Sequence, residues 1–181
     1  MSQVGQGGTA RVALPDEPAC LNPYLARCRG AEVLNGVTLE GPLAAGPALR
    51  YAPLLAEEVP SYATGTLSLD PFTVEIRLRQ NAAFPDGTPL TSADVGRTYE
   101  AAARLARDGG ISPLYSGFGR LSRVETPDER TARLVFEEPY AAWRDLLTAP
   151  ILARRDHAEL SDASPDEAPA GSPMGSGPFL P

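Results

Sequence analysis

Phe72-Thr73-Val74-Glu75-Ile76-Arg77-Leu78-Arg79 alternates apolar and polar residues without a fault. That period of two belongs to a strand with one face on a core and one in water. The following Gln80-Asn81-Ala82-Ala83-Phe84-Pro85-Asp86-Gly87-Thr88-Pro89-Leu90 contains a turn at Pro85-Asp86-Gly87, where proline presets φ and glycine accepts positive φ. Thr91 with Asp94 forms a helix start, a capping side chain with an acid in the first turn. Val95, Tyr99, Ala102 and Leu105 or Ala106 then recur at helical spacing, and Asp108-Gly109-Gly110 stops the run. A strand, a tight turn and a capped helix over 92–107 therefore organise the chain.

Composition narrows the rest. The 181 residues are 43% hydrophobic, enough for one compact domain with a real core. Sixteen basic residues stand against 23 acidic ones, a net charge of −7 with no basic run, which argues against nucleic acid as a partner. No apolar run approaches the ~20 residues that cross a bilayer. The start, Met1 to Gly8, has neither a basic segment nor an apolar stretch, so no secretory signal is visible; alone, that reads as cytoplasmic. Cys20 and Cys28 leave two readings open, a disulfide or two free thiols. With His157 as the only other soft ligand, no structural zinc site is expected.

Around the central stretch, residues 1–8 are expected to be disordered, and Ala10, Val12 and Leu14 to share one face of a short strand. Leu121 to Glu125 and Arg130 to Phe136 read as two strands joined by the turn Thr126-Pro127-Asp128-Glu129. Glu137-Glu138-Pro139-Tyr140 is expected to open a second helix with Tyr140, Trp143, Leu146 and Leu147 on its apolar stripe. Thr148 to Leu152 reads as a short buried run of strand type. Asp156 to Ser172, rich in Ala, Ser, Pro, Asp and Glu, reads as a mobile surface segment.

The order of the words says more. Leu78-Arg79, Phe84, Asp86-Gly87-Thr88-Pro89-Leu90 and Thr91-Ser92-Ala93-Asp94-Val95 resemble the extracellular solute-binding protein family 5, the peptide-, dipeptide- and nickel-binding receptors of ABC importers. Departures fall at Ala82, Ala83 and Pro85. Further words agree in order: Leu21-Asn22-Pro23 with the family's first loop, Leu39-Glu40-Gly41-Pro42-Leu43, Tyr51 to Pro60, and Gly175-Ser176-Gly177-Pro178-Phe179. The resemblance covers nearly all of this sequence, which amounts to well under half of a typical member.

The resemblance implies an α+β, periplasmic-binding-protein-like fold of type II, represented by its N-terminal lobe with a mixed β-sheet and flanking helices. Residues 9–35 would begin lobe I, 36–155 would form the N-terminal α/β subdomain, 156–174 a mobile linker, and 175–181 a return strand toward lobe I. It implies a substrate-binding component of an ABC transporter that captures peptides or similar small solutes outside the cytoplasm and delivers them to the permease, with the export signal outside this sequence. Any membrane association would run through the permease or a removed anchor. A sensor or interaction domain of a regulatory protein built on the same fold is the alternative.

Catalysis has little support. No Gly-x-Ser-x-Gly elbow occurs, and one histidine in a polar segment is a poor start for a triad. No cofactor is expected. Tyr24, Glu40, Tyr115, Phe118 and Thr148 lie in or beside loops that face the inter-lobe cleft in the resembled family, and exposed aromatics with polar handles suit peptide-like ligands. Tyr115 and Phe118 have an equal alternative as core residues closing the helix end. Trp143 reads as core.

Overall fold

The computed structural model describes residues 13, 20–26, 32–153 and 175–177. The expectations for residues 1–8, for the strand over 9–14 and for the segment 156–172 fall wholly or almost wholly outside these residues, as do Cys28 and His157.

The alternating stretch forms a strand, and its neighbours in sequence build the sheet around it. In chain order the elements are α1 (Glu32–Thr38), β1 (Leu43–Gly46), β2 (Arg50–Pro53), β3 (Leu67–Leu69), β4 (Phe72–Arg77), α2 (Ser92–Arg107), a 3₁₀ segment (Pro113–Arg120), β5 (Leu121–Asp128), β6 (Thr131–Phe136) and α3 (Trp143–Leu146). β1 and β2 pair as a small hairpin; the main sheet has the order β3-β4-β6-β5. β4 lies in its middle, with Val74 opposite Leu134 and Ile76 opposite Ala132. The expectation of a mixed sheet is corrected for the described residues: all pairings among them in this sheet are antiparallel. Connectivity accounts for two of these pairings, since β3–β4 and β5–β6 are tight hairpins, which only antiparallel neighbours allow.

Phe72, Val74, Ile76, Ala132, Leu134 and Phe136 are buried together, as their alternation requires. The other face carries charge. Glu75 accepts from Arg77 and from Arg133 opposite it, each at 2.8 Å, and Arg123 pairs with Glu125. The arginines of these pairs are well exposed, which limits what each pair adds to stability.

α2 starts where the sequence places it. Asp94 Oδ2 accepts from the Thr91 amide at 2.9 Å and from the Thr91 hydroxyl at 2.8 Å, while its other oxygen takes Arg97. Val95, Tyr99 and Ala102 have no exposure, so the helix packs its apolar side onto the core. Gly96 lies close to β5: a Cβ there would stand 3.1 Å from Thr126 Cγ2.

Two further expectations change. The second helix is only α3, four residues long, because it begins at Trp143, beyond Pro139 and Tyr140, and stops before Pro150. The run from Thr148 to Leu152 is buried but is no strand. Its backbone is satisfied piecemeal. Ile151 donates to the Glu40 carbonyl at 2.9 Å, Leu152 to Thr98 Oγ1 at 3.3 Å, and the carbonyls of Ala149 and Pro150 accept the hydroxyls of Tyr99 and Tyr24. Pro150 has no N–H, so a continuous ladder cannot form there.

Candidate functional site

Position 24 is set by local turn chemistry. The Tyr24 amide donates to Asn22 Oδ1 at 3.0 Å, and Tyr24 O accepts from the Ser112 amide at 2.7 Å. Ala26 donates to the Gly110 carbonyl, so the segment 22–26 is laced to the loop that follows α2. Gly109, at φ +77, supplies the left-handed turn that ends α2 and aims that loop.

This lacing gathers aromatic rings. Tyr24 lies 5.1 Å from Tyr115 and 6.2 Å from Phe118, and Tyr99 lies 4.7 Å from Phe118, all tilted. Three of the four are fully enclosed: Tyr24, Tyr99 and Phe118 have no exposed surface. The expectation of exposed rings is therefore corrected for Tyr24 and Phe118. Tyr24 spends its hydroxyl on the Pro150 carbonyl at 2.6 Å, and Phe118 packs against Tyr99, midway along α2. Burial pushes the hydroxyls of Tyr24 and Tyr99 well above the usual tyrosine range, so both stay neutral donors.

Tyr115 is different. It is only partly buried, and its hydroxyl finds no hydrogen-bond partner among the described residues. It lines a groove of about 470 Å³ together with Asn35, Leu39, Ser112, Leu114 and Thr148. Leu114 is 72% exposed, an unusual placement for a large apolar side chain. Thr148 donates its hydroxyl proton to the Asp145 carbonyl at 2.7 Å, which leaves its oxygen lone pairs available as acceptors. The described lining holds apolar surface, hydroxyls and one carboxamide, and no carboxylate or guanidinium. Its volume lies in the range of ~300–1,000 Å³ usual for small-molecule sites.

Tyr115 and Thr148 thus come together, while Glu40 does not join them. Glu40 lines a separate recess with Arg79, Asn81 and Ser176. Leu114, Ser112 and Asn35 were not singled out from the sequence. Leu114 had a signal, being a bulky apolar residue after a proline in a loop already marked by aromatics; Asn35 and Ser112 had none. Cys20 is buried and disulfide-bonded, beside Leu25.

With this geometry in place, comparison with known proteins decides the family. The family model described as bacterial extracellular solute-binding proteins, family 5 Middle, matches residues 50–180. The chain belongs to this family. A putative ABC transporter peptide-binding protein of Brucella ovis is 31% identical over 119 residues, which is 62% of this chain and 21% of that protein. Among solved structures, the binding protein AgaA from A. tumefaciens R10, in complex with agropinic acid, is similar with TM-score 0.67 and 27% identity, over 90% of this chain and 31% of that one. NikZ from Campylobacter jejuni, in complex with Ni(L-His), shares the fold with TM-score 0.68 at 21% identity, over 91% of this chain and 31% of that one. The family 5 chain described here therefore spans about a fifth to a third of the length of these relatives. Its α+β architecture is that of periplasmic binding proteins of this family.

Proposed function

We propose that this chain is the N-terminal portion of the substrate-binding component of an ABC importer, which takes a peptide or similar small solute outside the cytoplasm and presents it to a permease. The observation that carries this reading is the groove beside Tyr115 and Thr148 in a family 5 chain whose Brucella relative is named as peptide-binding. A peptide-like ligand suits such a wall. Leu114 and Leu39 offer apolar contact, while the Tyr115 hydroxyl, Thr148 Oγ1 and the Asn35 carboxamide meet backbone amides and carbonyls. Tyr24 and Phe118 act beneath this wall as packing that holds Tyr115, with no direct contact to the ligand.

In this reading residues 36–155 form the α/β subdomain of the solute-binding fold, 9–35 and 175–181 belong to lobe I, and 156–174 link them. The ligand is held by noncovalent contacts as two lobes close by a hinge. One wall alone forfeits closure and the exclusion of water that strengthens polar contacts. The 181 residues by themselves should therefore bind di- to pentapeptides at about millimolar Kd or weaker. Calorimetry with a peptide library, on this chain and on the full-length protein, tests the proposal. Tight binding by the full-length protein that weakens in Leu114→Asp supports it. Micromolar binding by the 181 residues alone, or a full-length protein indifferent to Leu114→Asp, overturns it.

A further inference from the structure

The recess that holds Glu40 is set apart from the peptide groove and has its own chemistry. It measures about 260 Å³ and is lined by Glu40, Arg79, Asn81 and Ser176 with Leu54 and Leu55. That is below the ~300–1,000 Å³ of drug-sized sites, so its occupant must be small.

Arg79 and the main chain at Glu40 and beside Ser176 are held by backbone contacts. Arg79 donates Nε to the Ala56 carbonyl at 3.2 Å and Nη2 to the Pro53 carbonyl at 2.9 Å. Two edges of the guanidinium are thereby fixed, and Nη1 has no partner among the described residues. Glu40 follows α1, and its carbonyl is held by the Ile151 amide at 2.9 Å. Next to it Gly41 allows a close approach: a Cβ there would stand 2.7 Å from the Thr148 carbonyl carbon. Ser176 is brought in by Gly177, whose amide donates to the Thr38 carbonyl at 3.1 Å, and by Gly175, where a Cβ would stand 2.3 Å from Leu39 Cδ2.

These groups are left incompletely satisfied. The Ser176 hydroxyl oxygen is buried with no hydrogen-bond partner among the described residues. Native structures leave few such atoms, and an orphan of this kind marks a missing partner. Glu40 and Arg79 interact through charge, yet no direct ion pair or hydrogen bond joins them. Partial burial pushes the Glu40 carboxyl up from its usual value, and Arg79 offsets that only in part. A fixed cation and a partly desolvated anion thus share one small recess, whose lining also holds the neutral donor–acceptors Asn81 and Ser176.

We propose that this recess binds a small zwitterion of the α-amino-acid class, its carboxylate on Arg79 and the Ser176 hydroxyl, its ammonium on Glu40. Guanidinium and carboxylate match in planar geometry, and charge-assisted bonds of both signs would form at once. Asn81 can donate to the carboxylate or accept from the ammonium. A simple anion would meet Glu40, and a simple cation would meet Arg79, so each alone is disfavoured. The proposal does not rest on the peptide groove and survives or fails separately from it.

The test is calorimetry and NMR titration of the full chain with glycine and alanine, against acetate and methylamine as single-charge probes. Saturable binding of the amino acids is expected, with neither single-charge probe binding comparably. Glu40→Gln keeps size and shape and should weaken amino-acid binding by about tenfold or more, and Ser176→Ala by a smaller factor. Circular dichroism melts check that both variants fold; should Glu40→Gln unfold, Ser176→Ala and the single-charge probes carry the test. Acetate binding as well as glycine would reduce the site to an anion site and overturn the proposal. No saturation by either amino acid, or unchanged affinity in folded Glu40→Gln, would do the same.

Discussion

Replacing Ile76 by aspartate tests the organising strand. Ile76 has no exposed surface and sits on the central strand opposite Ala132. Losing the buried isoleucine forfeits about 1.5–3 kcal/mol of apolar burial. A carboxyl placed there without a partner adds about 1–3 kcal/mol even when neutral. The sum, about 3–6 kcal/mol, is a large part of the ~5–15 kcal/mol that holds a domain folded. At ~2–4 °C per kcal/mol for a chain of this size, the melting midpoint should fall by about 6–24 °C. The effect also has a pH signature. Burial raises the folded-state pKa of the new acid above its unfolded value of ~3.9. The folded state then binds more protons than the unfolded one, so stability falls as pH rises from about 4 toward the raised folded pKa. Below ~3.9 both states are neutral, and only the burial loss remains. Ile76→Asn should show a similar loss at low pH without the added decline. Leu69→Asp, at a β3 position 60% exposed, should change stability by no more than ~0.5 kcal/mol. Thermal melts followed by circular dichroism at pH 4 and pH 8 read all three. An Ile76→Asp melt within ~2 °C of the parent, or a Leu69→Asp loss as large, would refute the assignment of faces.

Three other changes are informative. Tyr24→Phe strands the buried Pro150 carbonyl that its hydroxyl now serves and should cost about 1–3 kcal/mol in urea unfolding; no loss would mean another donor takes over. Gly177→Ala would place a Cβ 2.4 Å from the Thr38 carbonyl carbon, backbone against backbone. A loss of about 1–3 kcal/mol is expected, and a neutral result would separate the 175–177 segment from α1. For Glu75, burial pushes its carboxyl up, but the bonds from Arg133 and Arg77 outweigh this and hold it below the usual carboxylate range. Its contribution is therefore present above ~4.3, the unfolded value, and lost as pH falls through the lowered folded value. Glu75→Gln should be less stable than the parent at neutral pH, with the gap closing in acid; a gap that persists in acid would point to packing instead.

Local pattern alone determined the central strand and the helix after it. Phe72 to Arg79 alternates, and alternation has one physical solution when one face is buried. Thr91 and Asp94 satisfy backbone donors within four residues of each other, so the start of α2 is written locally. The existence of the β5–β6 hairpin and the core place of Trp143 are of the same kind, but β5 runs on through Thr126-Pro127-Asp128, read as turn from the sequence, and the chain reverses at Glu129-Arg130. The words Asp86 to Val95, Leu39 to Leu43 and Gly175 to Phe179 also carried the family, because the residues of each sit side by side in sequence.

What only the tertiary structure decided depends on groups far apart in the chain. Whether Tyr24 faces solvent or core turns on a carbonyl 126 residues away, at Pro150. Phe118 is enclosed because Tyr99 and Tyr24 reach it from two other elements. The run from Thr148 to Leu152 has the composition of a strand, yet its donors and acceptors go singly to Glu40, Thr98, Tyr99 and Tyr24, so no ladder forms. Glu40 and Thr148, both beside loops in sequence, line different recesses, because which loops converge is set by strand order and helix packing. Periodicity reports which face of an element is buried; it holds no record of which distant surface does the burying.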